Sequence, residues 1–596
     1  MLDKNTIKGQ LISRRAFIIG AGKFAFLLLL VGRMFYMQFI KKNEYKTLSD
    51  QNRIRMIIML PNRGQIYDRH MKLMAKNNTC FRLLLDKNIS SFFEEELKDV
   101  TEMLELDEEQ IKEVSNRVKR AGRRIPVLIM DYLDWHQVSI IEERKEVLKS
   151  LFVDTGNIRF YKYGENTAHL LGYMGRIEKT EKNDFAFVDE NFRTGKNGIE
   201  KFYEETLRGN FGHKQIEVNA HGKYVRELSE SKPLPGIDLY LNIDAELQKN
   251  ITPYLNSKGC SAVVMDCQDG SILVSSSTPS YNPNNFNFLS NKYWSELIQN
   301  PHKPLINKTI HSLYPPGSIF KIITILAALE TGINPSHTIN CNGGPALGGN
   351  GFRCGKKTGH GFLNMHDAIK HSCNIYMFEI AKIIGPQKII NLAQKFGFGS
   401  NTGIDLPSEL TGFVPTLEWK KKQFNSKWSL GDTFNLSIGQ GFLLCTPIQL
   451  ARFITAIATD GKLYTPKIAK SAAEYVQLRL EKDHIAFIKE ALYSTVNSAG
   501  GTGYAGRLTH STLSMAGKTG TAQVVAKKNT DDDLSRSDIA WNRRNHAIFA
   551  GYAPSNNPRY TVTVYYDHGG GGGKAAVPIA KAIIEQILEK TLKYIS

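Results

Sequence analysis

The sequence predicts an α+β body, an antiparallel sheet flanked by helices, carried on an elongated amino-terminal pedestal and one transmembrane helix. Three observations predict it. A single apolar stretch of bilayer length, Ala16 to Ile40, lies near the start. Two β-prone runs follow a Pro/Gly linker and two more lie near the carboxy terminus, with helical spacing between them. The final segment carries Ile579, Ile583, Ile587, Leu588, Leu592 and Ile595 along one helical face.

Composition narrows the class. Of 596 residues, 42% are hydrophobic and 22% charged, which excludes disorder over most of the chain. Lys plus Arg number 76 and Asp plus Glu 58, a net charge of +18. That excess is compatible with nucleic acid, anionic lipid or a polyanionic matrix and does not choose among them. Nothing resembles a nucleic-acid-binding module, and no nucleic acid is expected as a partner. Seven cysteines are too few for a disulfide-built scaffold. With one bilayer-length stretch, a polytopic channel is excluded.

Taken in order, residues 1–15 form a basic stub and 16–40 the anchor. FAFLLLLVG is apolar all round, unlike the one-sided stripe of a soluble helix. Lys23 and Arg33 sit near enough to its ends to reach the interface. A secretory signal would be shorter and would end in a small-x-small cleavage site. Lysines and arginines flank the segment on both sides, so charge alone does not orient it. The short head against the long body fits a cytoplasmic stub and an exported, periplasmic body on an inner membrane.

Residues 41–232 read as the pedestal. Residues 41–60 continue as a helix or extended stalk. In RGQIYDR at 63–69, Gly64 permits a tight backbone and the Arg/Asp pairs lock a turn. Residues 91–150 carry helical spacing at Phe93, Leu97, Val100 and Leu104 and read as small amphipathic helices. Gly195 to Glu200 is a loop into a helix start. Lys232-Pro233-Leu234-Pro235-Gly236 is the linker, and residues 237–596 form the second domain. In it, Ser261–Asp266 and Ser271–Ser276 are strands joined at Asp269-Gly270, a hairpin signal. Helices are expected at 319–330 and 364–383, and strands at 545–553 and 559–566.

Chemistry concentrates in three short motifs. In Tyr314-Pro315-Pro316-Gly317-Ser318-Ile319-Phe320-Lys321, the prolines and glycine place Ser318 at a helix start, near free N–H groups. Lys321, three residues on, shares its face. Serine attacks only when a base takes its proton, and a buried lysine beside another cation is such a base. Alone, this spacing is an ordinary N-cap followed by a solvated lysine. Ser372-Cys373-Asn374 follows in a helical region, where Ser372 can relay a proton and Asn374 can hold both Lys321 and a substrate amide. Lys518-Thr519-Gly520-Thr521 opens a β-prone run through Val525, with Gly520 letting a ligand backbone lie close.

The ordered set Ser-x-x-Lys, Ser-x-Asn, Lys-Thr-Gly resembles the class B penicillin-binding proteins, most closely their cell-elongation subgroup. RTGKNGIEKFYE at 193–204, GDTFNLSIGQG at 431–441 and HGGGGGKAAVPIA at 568–580 extend the resemblance over nearly the whole chain. It implies the penicillin-binding transpeptidase fold and peptidoglycan D,D-transpeptidation through an acyl-serine. It further implies Ser318 as nucleophile, Lys321 as base, Ser372 and Asn374 as second motif, and Lys518 beside the substrate-binding Thr519, Gly520 and Thr521. N–H groups of Ser318 and Thr521 would make the oxyanion hole. Implied partners are peptidoglycan stem peptides, a membrane-embedded SEDS glycosyltransferase and an elongation scaffold protein. Four positions depart mildly: Lys308 and Thr309 in Asn307-Lys308-Thr309, Ser312, and Asn374 where aspartate is frequent in the subgroup. A β-lactam-hydrolysing or β-lactam-sensing relative shares the acylation chemistry but has no need of residues 41–232.

Cys341, Cys354, His360 and Cys373 fall between the first two motifs. Three thiolates and an imidazole suit tetrahedral zinc, and the subgroup includes zinc-bearing members. A disulfide or simple burial is the other reading of these cysteines.

Overall fold

The computed structural model describes residues 4–42, 53–87, 89–90, 92–120, 126–177, 192–219, 224–255, 258–346, 352–510, 512–524 and 539–595. The first helix, Lys4–Phe35, runs on as a π-helical turn Tyr36–Ile40. Ala16–Ile40 is long and apolar enough to cross a membrane, and none of it is buried within the protein.

The pedestal contains more strand than its spacing suggests. Ile54–Met59 takes the extended alternative, a strand paired antiparallel with Gly212–Val218. Residues 43–52 lie outside the described residues. Helices Phe93–Met103, Glu108–Arg120 and Trp135–Glu143 form as expected, but Val127–Leu133 between them is a strand. It pairs with the long strand Leu73–Leu85, whose other edge takes Leu151–Tyr161. Pairing across the chain decides this segment, because a short apolar run fits helix or strand equally well. Val100, Leu104, Val114, Val127 and Leu151 close one core between these helices and strands.

RGQIYDR also differs from expectation. Its arginine and aspartate do not pair with each other. Arg63 reaches Glu200 at 2.7 Å and Glu204 at 2.8 Å, while Arg159 takes the other oxygen of Glu200 at 2.7 Å. Asp68 instead accepts the N–H groups of His70 and Lys72. Glu200 is fully buried; burial pushes its carboxyl up, and Arg159 and Arg63 outweigh this and hold it below its usual range. Removing the charge leaves the buried Arg159 guanidinium without its carboxylate and leaves Arg63 with Glu204 alone. Glu200→Gln is therefore expected to destabilise the pedestal by about 3–5 kcal/mol, read as a lower urea midpoint. Gly64 has a steric reason to be glycine: a Cβ there would lie 2.1 Å from the Ile237 carbonyl oxygen. The linker is bonded to the pedestal, with Gly236 N–H on Asn62 O and Leu234 N–H on Asn210 O. Directly after it, Leu239–Tyr240 pairs in parallel with Ile66–Tyr67.

The second domain holds the predicted antiparallel sheet. Its strands are β1 (Cys260–Asp266), β2 (Ile272–Thr278), β3 (Ala516–Ala522), β4 (His546–Ala553) and β5 (Tyr560–Tyr566), in the order β2-β1-β5-β4-β3. Alternation along the strands sends side chains to opposite faces. Phe549, Val562 and Val564 face the closing helix, Gly572–Ile595, through Val577, Ala580, Ile583 and Ile584. Ile548, Ala550 and Tyr565 face the opposite way, into the helical core. That core contains α1 (Lys321–Glu330), α2 (Met365–Lys370), α3 (Asn374–Ile384), α4 (Pro447–Ala458) and α5 (Lys482–Asn497). The side chains of Leu592 and Ile595 lie outside the described ones.

Candidate active site

The three motifs meet where α1, the break between α2 and α3, and the edge strand β3 converge. Ser318 occupies the middle of a 3-10 turn, Gly317–Ile319, directly ahead of α1. Gly317 has φ +56°, and a Cβ there would sit 3.0 Å from the Thr521 carbonyl oxygen. Its N–H bonds Gly439 O at 2.9 Å, so the SIGQG stretch at 437–441 supports the serine turn from the other side.

Lys321 is not a solvated lysine. It is fully buried, and its Nζ donates to Ser372 O at 2.7 Å, Ser372 Oγ at 3.1 Å and Asn374 Oδ1 at 2.7 Å. Burial pushes its pKa down to about 8 against the opposing pull of Cys373 and Cys354. The expected helix over 364–383 is interrupted: Ser372 has φ +57° in the gap between α2 and α3. A non-glycine residue in that region is uncommon, and here it turns both the carbonyl and the hydroxyl of Ser372 to one ammonium group. The Cys373 sulfur then caps α3, accepting the Tyr376 N–H.

β3 begins two residues before the motif and ends at Ala522; Val525 lies outside the described residues. Lys518 is fully buried beside Lys321, and burial together with that neighbouring charge drives its pKa well down. Its Nζ bond to Thr519 O is long at 3.4 Å. An arriving carboxylate would favour its charged form. Thr521 Oγ1 accepts Gly572 N–H at 3.4 Å, and Thr519 Oγ1 donates to Thr502 Oγ1 at 2.7 Å. Sequence reasoning missed Thr502, which reads as part of an ordinary glycine-rich helix end, and Arg353, whose carbonyl accepts Asn374 Nδ2 at 3.0 Å.

Cys341, Cys354, His360 and Cys373 form a cluster whose ligand atoms all lie within 4.8 Å of one another. The Cys354 and Cys373 sulfurs are 3.9 Å apart, and His360 Nδ1 stands 3.4 Å from Cys354 and 3.6 Å from Cys341. A zinc tetrahedron has edges of roughly 3.8 Å between sulfurs and about 3.5 Å from sulfur to nitrogen. A disulfide needs about 2.05 Å, so the geometry fits the metal set and not the bond. The contact between the two sulfurs lowers the Cys354 thiol and raises that of Cys373.

An antiparallel sheet with Lys-Thr-Gly on its edge strand, facing a Ser-x-x-Lys helix, defines the penicillin-recognising transpeptidase class. The chain belongs to the class B penicillin-binding proteins: residues 260–585 match the penicillin-binding protein transpeptidase domain, and 58–241 the penicillin-binding protein dimerisation domain. It is 33% identical to the peptidoglycan D,D-transpeptidase MrdA of Haemophilus influenzae, over 98% of this chain and 93% of that protein. To the MrdA of Escherichia coli K12 it is 30% identical, over 98% and 95%. A solved complex between penicillin-binding protein PBP2 and MreC from Helicobacter pylori is similar to 90% of this chain and 99% of its own, with TM-score 0.80 and 29% identity. The PBP2 of Pseudomonas aeruginosa in complex with WCK 5153 gives TM-score 0.64 at 26% identity, over 89% and 97%.

Proposed function

We infer that this chain is a peptidoglycan D,D-transpeptidase of cell elongation, cross-linking stem peptides through an acyl-serine. The observation that carries the reading is Lys321: wholly buried, gripped by Ser372 and Asn374, and one helical turn from Ser318. In its neutral form this amine has a lone pair for the Ser318 proton. Ser318 then attacks the penultimate D-Ala carbonyl, and the N–H groups of Ser318 and Thr521 hold the oxyanion. Ser372 passes a proton to the departing D-Ala amine, and an amine of a neighbouring stem resolves the ester. Thr519 and Thr521 receive the terminal carboxylate alongside Lys518, with Gly520 leaving room for the peptide. Intact-mass measurement through time after penicillin treatment tests this. A long-lived adduct is expected; rapid release would favour the β-lactam-hydrolysing alternative.

A pH profile follows from Lys321. With a pKa of about 8, the amine is mostly protonated below that value. Penicillin acylation is expected to rise about tenfold per pH unit from 6 towards 8 and to level above it. A flat profile across that range would remove Lys321 as the base.

Residues 1–15 are the cytoplasmic stub, 16–40 the inner-membrane anchor, 41–232 the pedestal and 237–596 the periplasmic transpeptidase domain. The Helicobacter pylori protein solved with MreC supports an elongation scaffold as a partner, which the pedestal would contact. Glycan polymerisation would come from a SEDS glycosyltransferase in the membrane. Cys341, Cys354, His360 and Cys373 would hold zinc in a closed tetrahedral shell, where the metal fixes loop shape and has no open position for substrate. The Arg353 carbonyl, next to Cys354, and Asn374, next to Cys373, connect that loop to the Lys321 amine.

A further inference from the structure

The two threonines of Lys518-Thr519-Gly520-Thr521 are not equivalent. Thr521 Oγ1 accepts a proton from Gly572 N–H, which leaves its own hydroxyl proton available. Thr519 Oγ1 gives its proton away, to Thr502 Oγ1 at 2.7 Å. A carboxylate offers lone pairs only, so in the ligand-free cleft Thr519 presents the wrong face of its hydroxyl to the group it is to bind.

Thr502 is held in place from several sides. Its N–H donates to Lys370 O, the last residue of α2, at 3.3 Å. Two residues earlier, Gly500 O bonds His371 Nδ1 at 3.1 Å, and Gly503 N–H bonds Thr495 O in α5. The Thr502 carbonyl presses on Gly573, where a Cβ would lie 2.5 Å away. The loop 498–503 is thus pinned to the segment that leads into Ser372 and to the closing helix, with one hydroxyl left facing β3.

We propose that Thr502 is a positioning residue for the terminal carboxylate of the acyl donor, acting through Thr519. This rests on the transpeptidase reading. When a carboxylate arrives, Thr519 turns its proton outward, and the Thr502 hydroxyl donates its own proton into the vacated lone pair of Thr519. No hydroxyl loses its partner, and the charge-assisted bond to the carboxylate is added. Thr502 therefore favours an anionic terminus over an uncharged one.

The test compares acylation of the full-length protein by a penicillin and by its methyl ester, in wild type, Thr502→Val, Thr502→Ser, Thr519→Val and the Thr502→Val/Thr519→Val double variant. Valine keeps the shape of Thr502 and removes its hydroxyl. Thr502→Val is expected to cut the acid-over-ester preference about tenfold, the upper size of one neutral hydrogen bond, here the one that Thr502 donates to Thr519 while Thr519 holds the carboxylate, through the binding constant rather than the limiting rate. Thr502→Ser is expected to restore it to within about threefold, and the double variant to be no worse than Thr519→Val alone. Equal slowing of acid and ester by Thr502→Val, or additive losses in the double variant, would overturn the proposal and leave the transpeptidase reading standing. Wild-type protein that neither probe acylates overturns both. If Thr502→Val does not fold, Thr502→Ala against Thr502→Ser reads the same loss and rescue.

Discussion

Ser318→Ala eliminates the mass gain that penicillin leaves on the protein, with acylation down by roughly 10⁴-fold or more. The size follows from the geometry. Ser318 is half-buried on a turn fixed by Gly439 O and by the back of β3, so no other hydroxyl takes its place. Ser372 is within hydrogen-bond reach of Lys321, but its hydroxyl already receives an N–H from that amine. Alanine fits the turn, so the variant should unfold at the wild-type temperature, and the loss reads chemistry rather than folding. A specific, stoichiometric adduct persisting in Ser318→Ala would refute the assignment of the nucleophile.

The second large effect concerns the cysteine cluster. Protein purified without chelator is expected to carry about one zinc per chain, released on His360→Ala or Cys341→Ser. His360 and Cys341 are the informative choices, because neither adjoins Ser372 or Asn374 in the chain. Loss of a structural ion removes several kcal/mol of folding free energy, and a melting temperature lower by about 5–10 °C is expected. Acylation should fall as well, since the loop that ends at Arg353 and Cys354 no longer holds Asn374. Elemental analysis well below one zinc per chain, with variants melting as wild type, would return these residues to the role of buried thiols.

Much of the fold was legible in local pattern. Asp269-Gly270 and the apolar runs on either side announce the β1–β2 hairpin, and β4 and β5 fall within a residue or two of their expected positions. The pedestal was less legible. Val127–Leu133 has no pattern that separates strand from helix, and its partner Leu73–Leu85 lies some forty residues away. The Arg63–Glu200–Arg159 triad joins residues separated by 137 and 41 positions, beyond any spacing rule.

The same division runs through the active site. Ser318, Lys321, Ser372, Asn374 and the Lys-Thr-Gly strand could be singled out because each lies in a short stretch and the ordered set of three carries a resemblance that no one motif carries alone. The sequence alone also identified a segment long and apolar enough to cross a membrane, which needs only length and composition. Only the tertiary structure decided that Lys321 is buried and triply bonded, that Ser372 stands at positive φ in a helix break, that Cys341, Cys354, His360 and Cys373 gather within 4.8 Å of one another, and that Thr502 lies against Thr519. Burial and cross-chain hydrogen bonding depend on which distant segments pack together, and that packing is a property of the whole folded chain rather than of any window within it.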